Sequence, residues 1–591
     1  MKHLDQKNIL VLGLGASGLA LARWCVRHGA RVTVADTRPA PPQLETLKSS
    51  LPQVTFVHSE MNEALFASAP FDMVLKSPGL SPASIAGVIN AAEARGTARG
   101  NELSLFAHAL AELKRDRAYS PQVIAITGTN GKTTVTSLAA QLVQRASKTV
   151  AVAGNIGPTL LDTLAEKLDA ALQAQAKTAE KEAQEAEDKK QAEAVEQNPV
   201  VPARAALLAT TDEEETLDES VEPGHAAESD KAEEALEGDE PALVPVPELV
   251  TALPPPLPVL PALPQVWVLE LSSFQLDGVT NFEPTVATVL NISQDHLDWH
   301  ETLAAYTQAK NRIYGNGLML LNRDDPAVMS ALPKPLPQVK GKQPPPRPYI
   351  TFGSNSPERP GDYGIETVNG MAWLVRATEA DETFKRRKDE EVALFIQRLM
   401  PMDALRIRGR HNATNALAAL GLAVAAGCNL APMLHGLREY RGEPHRVESV
   451  AVIRDIEYFD DSKGTNVGAT VAALAGLGED RKLVVILGGE GKGQDFMPLA
   501  EPVARYARAV VLIGRDGPAI RAALEDTFVP LLDAASMEEA VGVAAQQAKT
   551  GDAVLMSPAC ASFDMFDNYE HRAKVFRDAV QALALEEGVT L

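Results

Sequence analysis

Cysteine is nearly missing from this chain. Its 591 residues include three, Cys25, Cys428 and Cys560, at spacings that form neither a metal cage nor a disulfide framework. A disulfide-stapled scaffold is excluded, and a reducing compartment suits the composition. Long hydrophobic runs are missing too, none reaching the ~18 residues of a membrane span. Met1 to Gln6 lead straight into a strand without the apolar stretch of a signal peptide, so the expected location is cytoplasmic. There is no basic stripe of the kind that follows nucleic acid, and no short-period repeat.

The acidity that is present is local. The formal net charge is -22, yet residues 165–264 hold 24 acidic and 7 basic side chains, while the remainder holds 54 and 49. The charge therefore says little about the partners of the folded body. Ala165 to Gln197 is rich in Ala, Glu, Gln and Lys and reads as a solvated helix. Asn198 to Pro264 is acidic, then Pro-rich, with nine prolines from Pro241 onward. Such a stretch buries too little surface to offset its ordering entropy, so it is expected to be a surface insertion, disordered in part, and could serve as an interaction module. Lys342 to Pro348 reads as a Pro-rich loop.

A chain this long exceeds one hydrophobic core, so two to four domains are expected. Asn8–Leu12, Arg31–Ala35 and Met73–Leu75 are short apolar runs that alternate with helices, Leu19 to His28 being the first, and this predicts a parallel sheet covered on both faces. A second α/β unit opens at Val123–Thr127, is interrupted after Gly157, and resumes at Val266–Leu271. Val289–Ile292 is a further strand pattern. A third unit begins near Glu443, with strands at Leu483–Leu487, Val510–Ile513 and Ala553–Met556. The expected architecture is α/β in three domains: Rossmann-like over 1–105, P-loop NTPase-like over 106–442 with the insertion at about 163–264, and Rossmann-like over 443–591.

The sharpest motif is Thr127-Gly128-Thr129-Asn130-Gly131-Lys132-Thr133-Thr134, between a strand and a helix whose apolar residues fall at Val135, Leu138, Ala139, Leu142 and Val143. Glycines let the backbone N–H groups turn toward phosphate oxygens, and the helix N-terminus adds a favourable dipole. Lys132 can neutralise the β- and γ-phosphates, and the Thr133 hydroxyl can hold Mg²⁺. The motif departs from the usual phosphate loop, because Ile126 stands where a further glycine belongs. Near the N-terminus, Gly13-Leu14-Gly15-Ala16-Ser17-Gly18 follows a strand, and Asp36 ends the next one. Alone this reads as a dinucleotide fingerprint with Asp36 on a ribose hydroxyl. Beside a triphosphate loop, a nucleotide-linked substrate is favoured over a redox cofactor. A nicotinamide-dependent oxidoreductase, which NADH fluorescence would reveal, leaves Thr127 to Thr134 unexplained.

Further strings follow in order: Asp36-Thr37-Arg38, Ser77-Pro78-Gly79, Gly154-Asn155-Ile156-Gly157, Glu270-Leu271-Ser272-Ser273-Phe274-Gln275 and Asp295-His296-Leu297-Asp298. Lys310, Gly409 to Asn415, His445-Arg446, Asp461 to Asn466, Gly488 to Lys492 and Ser557 to Ser562 continue the series. Together they resemble the MurD family, the ATP-dependent ligases that add D-glutamate to UDP-N-acetylmuramoyl-L-alanine in peptidoglycan synthesis, over nearly the whole chain apart from the insertion. Nothing in the sequence demands more than a monomer, and the resemblance implies ATP as co-substrate and Mg²⁺ as cofactor, two ions being the expected number. It implies ATP contacts at Gly128 to Thr134, Asn412, Asn415, Arg446 and Asp461. Contacts to the UDP-linked substrate are implied at Ser17, Asp36, Thr37, Arg38, Gly79, Asn155, Ser272 and Gln275. D-Glutamate contacts are implied at Lys463, Thr465, Lys492, Ser562 and Phe563. Lys132, Glu270, His296 and Lys310 are implied in catalysis, and Thr133, Glu270, His296 and Lys310, the last if carbamylated, in holding metal.

Read without the resemblance, some of these residues have plainer meanings. Glu270 is a solvated strand-end acid, His296 a structural histidine, and Lys310 a helix lysine on a solvated face. Asn412 reads as a helix cap. Tyr569 stands where a relative in the family has phenylalanine, a mild change if the backbone makes the contact. Sister ligases that add L-alanine, a diamino acid or a dipeptide share the chemistry, but Asp461 to Lys463 and Ser557 to Phe563 favour D-glutamate.

Overall fold

The computed structural model describes residues 2–67, 70–155, 157–197, 260–333, 347–380, 393–479 and 481–589. The chain divides into two compact units, residues 1–172 with 259–591, and residues 173–258.

The first sheet is wholly parallel, in the order Thr55–His58, Arg31–Asp36, Asn8–Leu12, Met73–Lys76, Ala98–Asn101. Strand order reverses between Asn8–Leu12 and Met73–Lys76. The loops after these two strands, residues 13–15 and 77–81, therefore flank a crevice where open α/β sheets take ligands. The first helix is Ala16–Arg27, three residues earlier than the apolar pattern indicates, so Ser17 and Gly18 belong to its first turn. Gly18 is needed there because a Cβ would sit 1.9 Å from the Gly13 carbonyl.

The second sheet is also parallel, in the order Tyr349–Phe352, Leu318–Asn322, Val286–Val289, Gln122–Thr127, Val266–Glu270, Val150–Gly154. Val266–Glu270 is buried at every position, which is why it reads as a continuous apolar run rather than an alternating one. The strand expected at Val289–Ile292 instead ends at Val289, and Leu290 to Ile292 enter the loop that faces the phosphate-binding turn. A three-stranded antiparallel sheet, Tyr363–Val368, Met371–Glu379 and Leu394–Pro401, was not legible in the sequence.

The third sheet runs Glu448–Ile453, Ile456–Asp460, Ala553–Met556, Leu483–Gly488, Ala507–Ile513, Leu531–Asp533, antiparallel only at its first pair. The α/β fold class expected from the sequence is present, with three largely parallel sheets.

The Ala- and Glu-rich segment is helical, but its helix is Leu160–Gln197 and it starts in the core: Leu160, Leu161, Leu164 and Ala171 are buried. The chain is back in the core by Leu260 and Leu263, which pack with Tyr119 and Ala171. In the second unit, residues 173–190 are almost wholly exposed. The expected disorder and interaction role of residues 198–259, and the loop at 342–346, lie outside the described residues. No helix among the described residues is long and apolar enough to cross a membrane.

Helix Glu102–Arg117 joins the first two sheets. Phe106 meets Trp267 edge-on at 5.2 Å, and the Trp267 indole N–H donates to the Tyr119 hydroxyl at 2.9 Å. At the start of this helix Glu102 is 1% exposed and accepts the Leu161 N–H at 3.1 Å. Burial pushes its carboxyl from 4.5 up to about 7. The folded chain therefore holds a proton that the unfolded chain has released. The contribution of this group is fully present below pH 4.5 and is lost as pH rises through 7. Glu102→Gln should shrink the stability difference between pH 5 and pH 8 by about 2–3 kcal/mol, measured by urea denaturation at both pH values.

Candidate active site

Helix Lys132–Arg145 starts without a side-chain cap, and its N-cap Gly131 takes φ +82°. Its first N–H groups thus face open space at the C-terminal edge of the second sheet, the arrangement that takes an anion. The turn is held from the opposite loop: Thr129 N–H donates to the Asn291 carbonyl at 2.9 Å and Asn130 N–H to Asn291 Oδ1 at 2.8 Å. Lys132 Nζ curls back over the turn and donates to the carbonyls of Gly128 and Thr129, both at 2.8 Å. The Thr133 hydroxyl accepts from the Arg446 guanidinium at 2.8 Å, so Arg446 brings a second cation to the same edge.

Strand register places Glu270 beside this turn, since Ile126 pairs with Glu270 on one side and Gly154 pairs with it on the other. Glu270 is buried, which removes the plainer reading of a solvated strand-end acid. Its Oε1 accepts from Asn155 Nδ2 at 2.8 Å, and its Oε2 has no hydrogen-bond partner among the described residues. A buried carboxylate oxygen left over in a phosphate site is a place for a cation, so this donor set fits Mg²⁺.

Lys310 overturns its plain reading most sharply. It is 1% exposed, donates to the Gly128 carbonyl at 3.0 Å, lies 3.4 Å from the Thr127 hydroxyl, and sits 4.5 Å from the centre of the Tyr306 ring. Burial, and then the neighbouring Lys132 charge, hold its amine well below the usual lysine range. Tyr306, which the sequence did not single out, is buried and its hydroxyl lies 3.2 Å from Thr129 Oγ1, joining the turn to the lysine. His296 is exposed, with a left-handed backbone at φ +54°, and packs edge-on against Phe274 at 4.8 Å. Desolvation lowers its imidazole below the usual range, although Asp295 pulls the other way.

Ser272 and Gln275 take a local role. The Ser272 hydroxyl caps helix Ser273–Leu276 by accepting from Gln275 N–H, and Gln275 Oε1 accepts from Ser272 N–H and from its hydroxyl. This is a capping box whose Ser-x-x-Gln spacing was visible in the sequence.

A cavity of about 220 Å³ joins the turn to the third sheet, lined by Asn130, Thr134, Asn412, Asn415, Arg446 and Asp461. Residues expected to contact ATP from four separated strings thus converge. Asn412 is not a cap: its Nδ2 donates to the Arg408 carbonyl, and its Oδ1 accepts from Asn415 Nδ2 at 3.2 Å. Asp461 is buried and accepts from the Ser557 hydroxyl at 2.6 Å, and burial raises its carboxyl to about 7. Nearby, His445, Glu448 and Asp460 cluster as metal ligands would, but Arg577 donates to both carboxylates and already supplies a cation to the pair.

Lys463 also lines this cavity, with its ammonium 3.6 Å from the centre of the Tyr569 ring. The Tyr569 side chain therefore makes a contact of its own, beyond any made by its backbone. Lys492 lies 5.5 Å from the Phe563 ring, and the pairing of Glu490 with Ala561 brings the Lys492 loop alongside Ser562. Ser562 is buried, Phe563 is 64% exposed, and Thr465 donates its N–H to the Lys463 carbonyl. Arg572, fully buried and unremarked in the sequence, donates to the carbonyls of Ser462 and Cys560, tying together the loops that carry Lys463 and Ser562.

In the first sheet, Asp36 accepts from Leu14 N–H at 2.7 Å and from Arg38 through N–H, Nε and Nη2. Burial alone would raise this carboxyl, but Arg38 and the amides hold it at about 2. Both oxygens are engaged, so a ribose hydroxyl would have to compete for them, which weakens the dinucleotide reading. Thr37 offers its carbonyl to His58 at 3.1 Å, while Arg38 and Gly79 are open to solvent at the crevice with Ser17 half-buried beside them.

A phosphate loop opening onto a buried carboxylate and a buried lysine, within three α/β sheets, defines a nucleoside-triphosphate-using enzyme of the P-loop class. The chain matches the Mur ligase MurD-like N-terminal domain over 7–98, the Mur ligase middle domain over 126–207 and 257–423, and the Mur ligase glutamate ligase domain over 445–560. It is 53% identical to a UDP-N-acetylmuramoylalanine–D-glutamate ligase of Polaromonas sp. across the whole of both chains. It is 54% identical to that of Albidiferax ferrireducens, covering 100% of this chain and 98% of the other. A MurF ligase of Thermotoga maritima in complex with ADP is 13% identical with a TM-score of 0.48, covering 98% of this chain and 96% of that one. The chain belongs to the Mur ligases, in the UDP-N-acetylmuramoylalanine–D-glutamate ligase (MurD) family.

Proposed function

We propose that this chain joins D-glutamate to UDP-N-acetylmuramoyl-L-alanine with consumption of ATP, giving ADP and phosphate in peptidoglycan synthesis. The observation that carries the reading is full-length identity of 48–54% to ligases of that name. The site supplies the chemistry. A carboxylate is a poor electrophile, so ATP first phosphorylates the L-alanyl carboxylate. Lys132, Arg446 and the N–H groups of the turn bind the polyphosphate, and Lys132 offsets charge on the γ-phosphoryl group as it moves in line to the acceptor. Thr133, Glu270, His296 and carbamylated Lys310 would hold Mg²⁺, which supplies further charge neutralisation at the transferred group.

Asn155 orients Glu270 and stands beside the reacting carboxylate. Asn412, Asn415 and Asp461 bind the nucleoside. Ser17, Asp36 to Arg38 and Gly79 bind the uridine diphosphate, Asp36 acting by holding Arg38 in place. Ser272 and Gln275 shape the muramoyl side through their cap. Lys463, Thr465, Lys492, Ser562 and Phe563 receive D-glutamate, whose two carboxylates call for cationic and hydroxyl partners. Its amine attacks the acyl phosphate, a tetrahedral intermediate forms, and phosphate leaves. We place the enzyme, a monomer in this reading, in the cytoplasm, where UDP-sugars and ATP are found.

A phosphate-release screen across amino acids, with the UDP-muramoyl-alanine acceptor present, tests the reading. D-Glutamate should be the preferred amine, and preference for L-alanine or a diamino acid would overturn it. The lowered basicity of Lys310 leaves an amine able to add CO₂, turning a cation into an anion in a site that collects Mg²⁺. Enzyme depleted of CO₂ should therefore lose activity several-fold and recover it with bicarbonate. Indifference to bicarbonate would remove the carbamate.

A further inference from the structure

Lys76, the last residue of strand Met73–Lys76, reaches from the first sheet to the second. Its Nζ lies 2.6 Å from Asp277 Oδ2, with the two side chains 13% and 26% exposed. The same ammonium sits 5.5 Å from the centre of the Trp299 ring. Asp277 is the C-cap of helix Ser273–Leu276, and Trp299 lies in helix Leu297–His300, whose N-cap is His296. Phe274 joins these two short helices. Its ring lies 4.8 Å from both His296 and Trp299 and stacks on His300, whose Nε2 is 2.9 Å from the Ser273 hydroxyl. One lysine is thus in contact with both helices that wall the catalytic side.

The surroundings make this contact matter. A cavity of about 640 Å³ opens beside the ion pair, lined by Lys76, Asp277, Ile85, Ile89, Arg99 and Leu105 among others, so on this flank the border is not a filled apolar interface. Two side-chain amides also donate hydrogen bonds across here, Asn101 Nδ2 to the carbonyls of Gln275 at 2.9 Å and Asp277 at 3.5 Å, and Asn281 Nδ2 to the Ser104 carbonyl at 3.0 Å. The ion pairs Arg23–Asp162 and Arg27–Asp169 cross to the long helix instead, and their side chains are a third to half exposed, where solvent screens them. Lys76 and Asp277 are better shielded, and Lys76 is followed directly by Ser77-Pro78-Gly79.

We infer that Lys76 is a positioning residue for the ligation: through Asp277 and Trp299 it fixes the Ser77–Gly79 loop relative to the wall that carries His296. This rests on the functional reading above, in which that loop presents the nucleotide-sugar and the wall faces the phosphate turn. Losing the bridge leaves each binding site whole and loosens their alignment. The cost should therefore fall on turnover and not on nucleotide affinity, because a displacement of about 1 Å is enough to spoil in-line transfer.

The test uses the full chain with Ser50→Cys and Ser330→Cys carrying spin labels, the three native cysteines being buried. Lys76→Met should broaden the distance distribution between the labels, lower kcat about tenfold, and leave the Kd for UDP within twofold. Asp277→Asn should do the same. The double variant Lys76→Asp/Asp277→Lys should restore both the narrow distribution and turnover, which a general loss of folding would not allow. An unbroadened distribution in both single variants, or a double variant no better than either, overturns the inference. The label distances judge the bridge without reference to activity, whereas absence of D-glutamate-dependent phosphate release in the unsubstituted chain would count against the functional reading itself.

Discussion

Lys132→Ala is expected to abolish D-glutamate-dependent phosphate release, lowering kcat by roughly three orders of magnitude. The ammonium lies over the carbonyls of Gly128 and Thr129, at the point where helix Lys132–Arg145 presents its unpaired N–H groups. Those N–H groups remain in the variant, but a helix terminus contributes about 0.3–2 kcal/mol to an anion, less than a charge-assisted contact that strengthens as the phosphoryl group transfers. Alanine at the first helical position is a good helix former, so the fold should survive. The measurement is phosphate release with ATP, the UDP-muramoyl-alanine acceptor and D-glutamate, alongside a thermal melt. A stable variant with full activity would remove the phosphate-loop assignment.

Glu270→Gln should cost about 10²–10³-fold in kcat. The replacement is isosteric and can still accept from Asn155 Nδ2, so packing is kept. What disappears is the unpartnered anionic Oε2 and its favourable field at Lys132, which Glu270 supports against desolvation. The Mg²⁺ concentration needed for half-maximal activity should rise along with the loss. Titration of Mg²⁺ against kcat separates this from a packing defect, which would leave the Mg²⁺ dependence where it was. An unchanged Mg²⁺ requirement would take Glu270 out of the metal site.

Both variants concern residues whose type and place were legible in one dimension, because strand–turn–helix chemistry is local. Lys132 follows two glycines and opens an amphipathic helix, and Glu270 ends an apolar run. Lys310 was not legible in this way. A lysine in Tyr306-Thr307-Gln308-Ala309-Lys310 has the spacing of a solvated helix face, and only the packing of that helix against the Thr127–Gly128 turn buries it. Ser272 and Gln275 were read for substrate contact, while the capping box that their Ser-x-x-Gln spacing also encodes is a local hydrogen-bond pattern set within four residues.

The amino-acid order by itself determined the α/β alternation, the phosphate turn, the glycine turn of the first sheet and the acidic segment, since each depends on periodicity, backbone freedom or solvation within a few residues. Tertiary structure alone decided which carboxylate is left without a partner, that Arg446 comes to Thr133 and Arg572 ties two loops together, and that Lys76 spans the border to Asp277 and Trp299. Apart from the Arg572–Cys560 contact, these depend on pairs of residues 110 to 313 positions apart. Such contacts are set by how the sheets pack, and no local pattern encodes them.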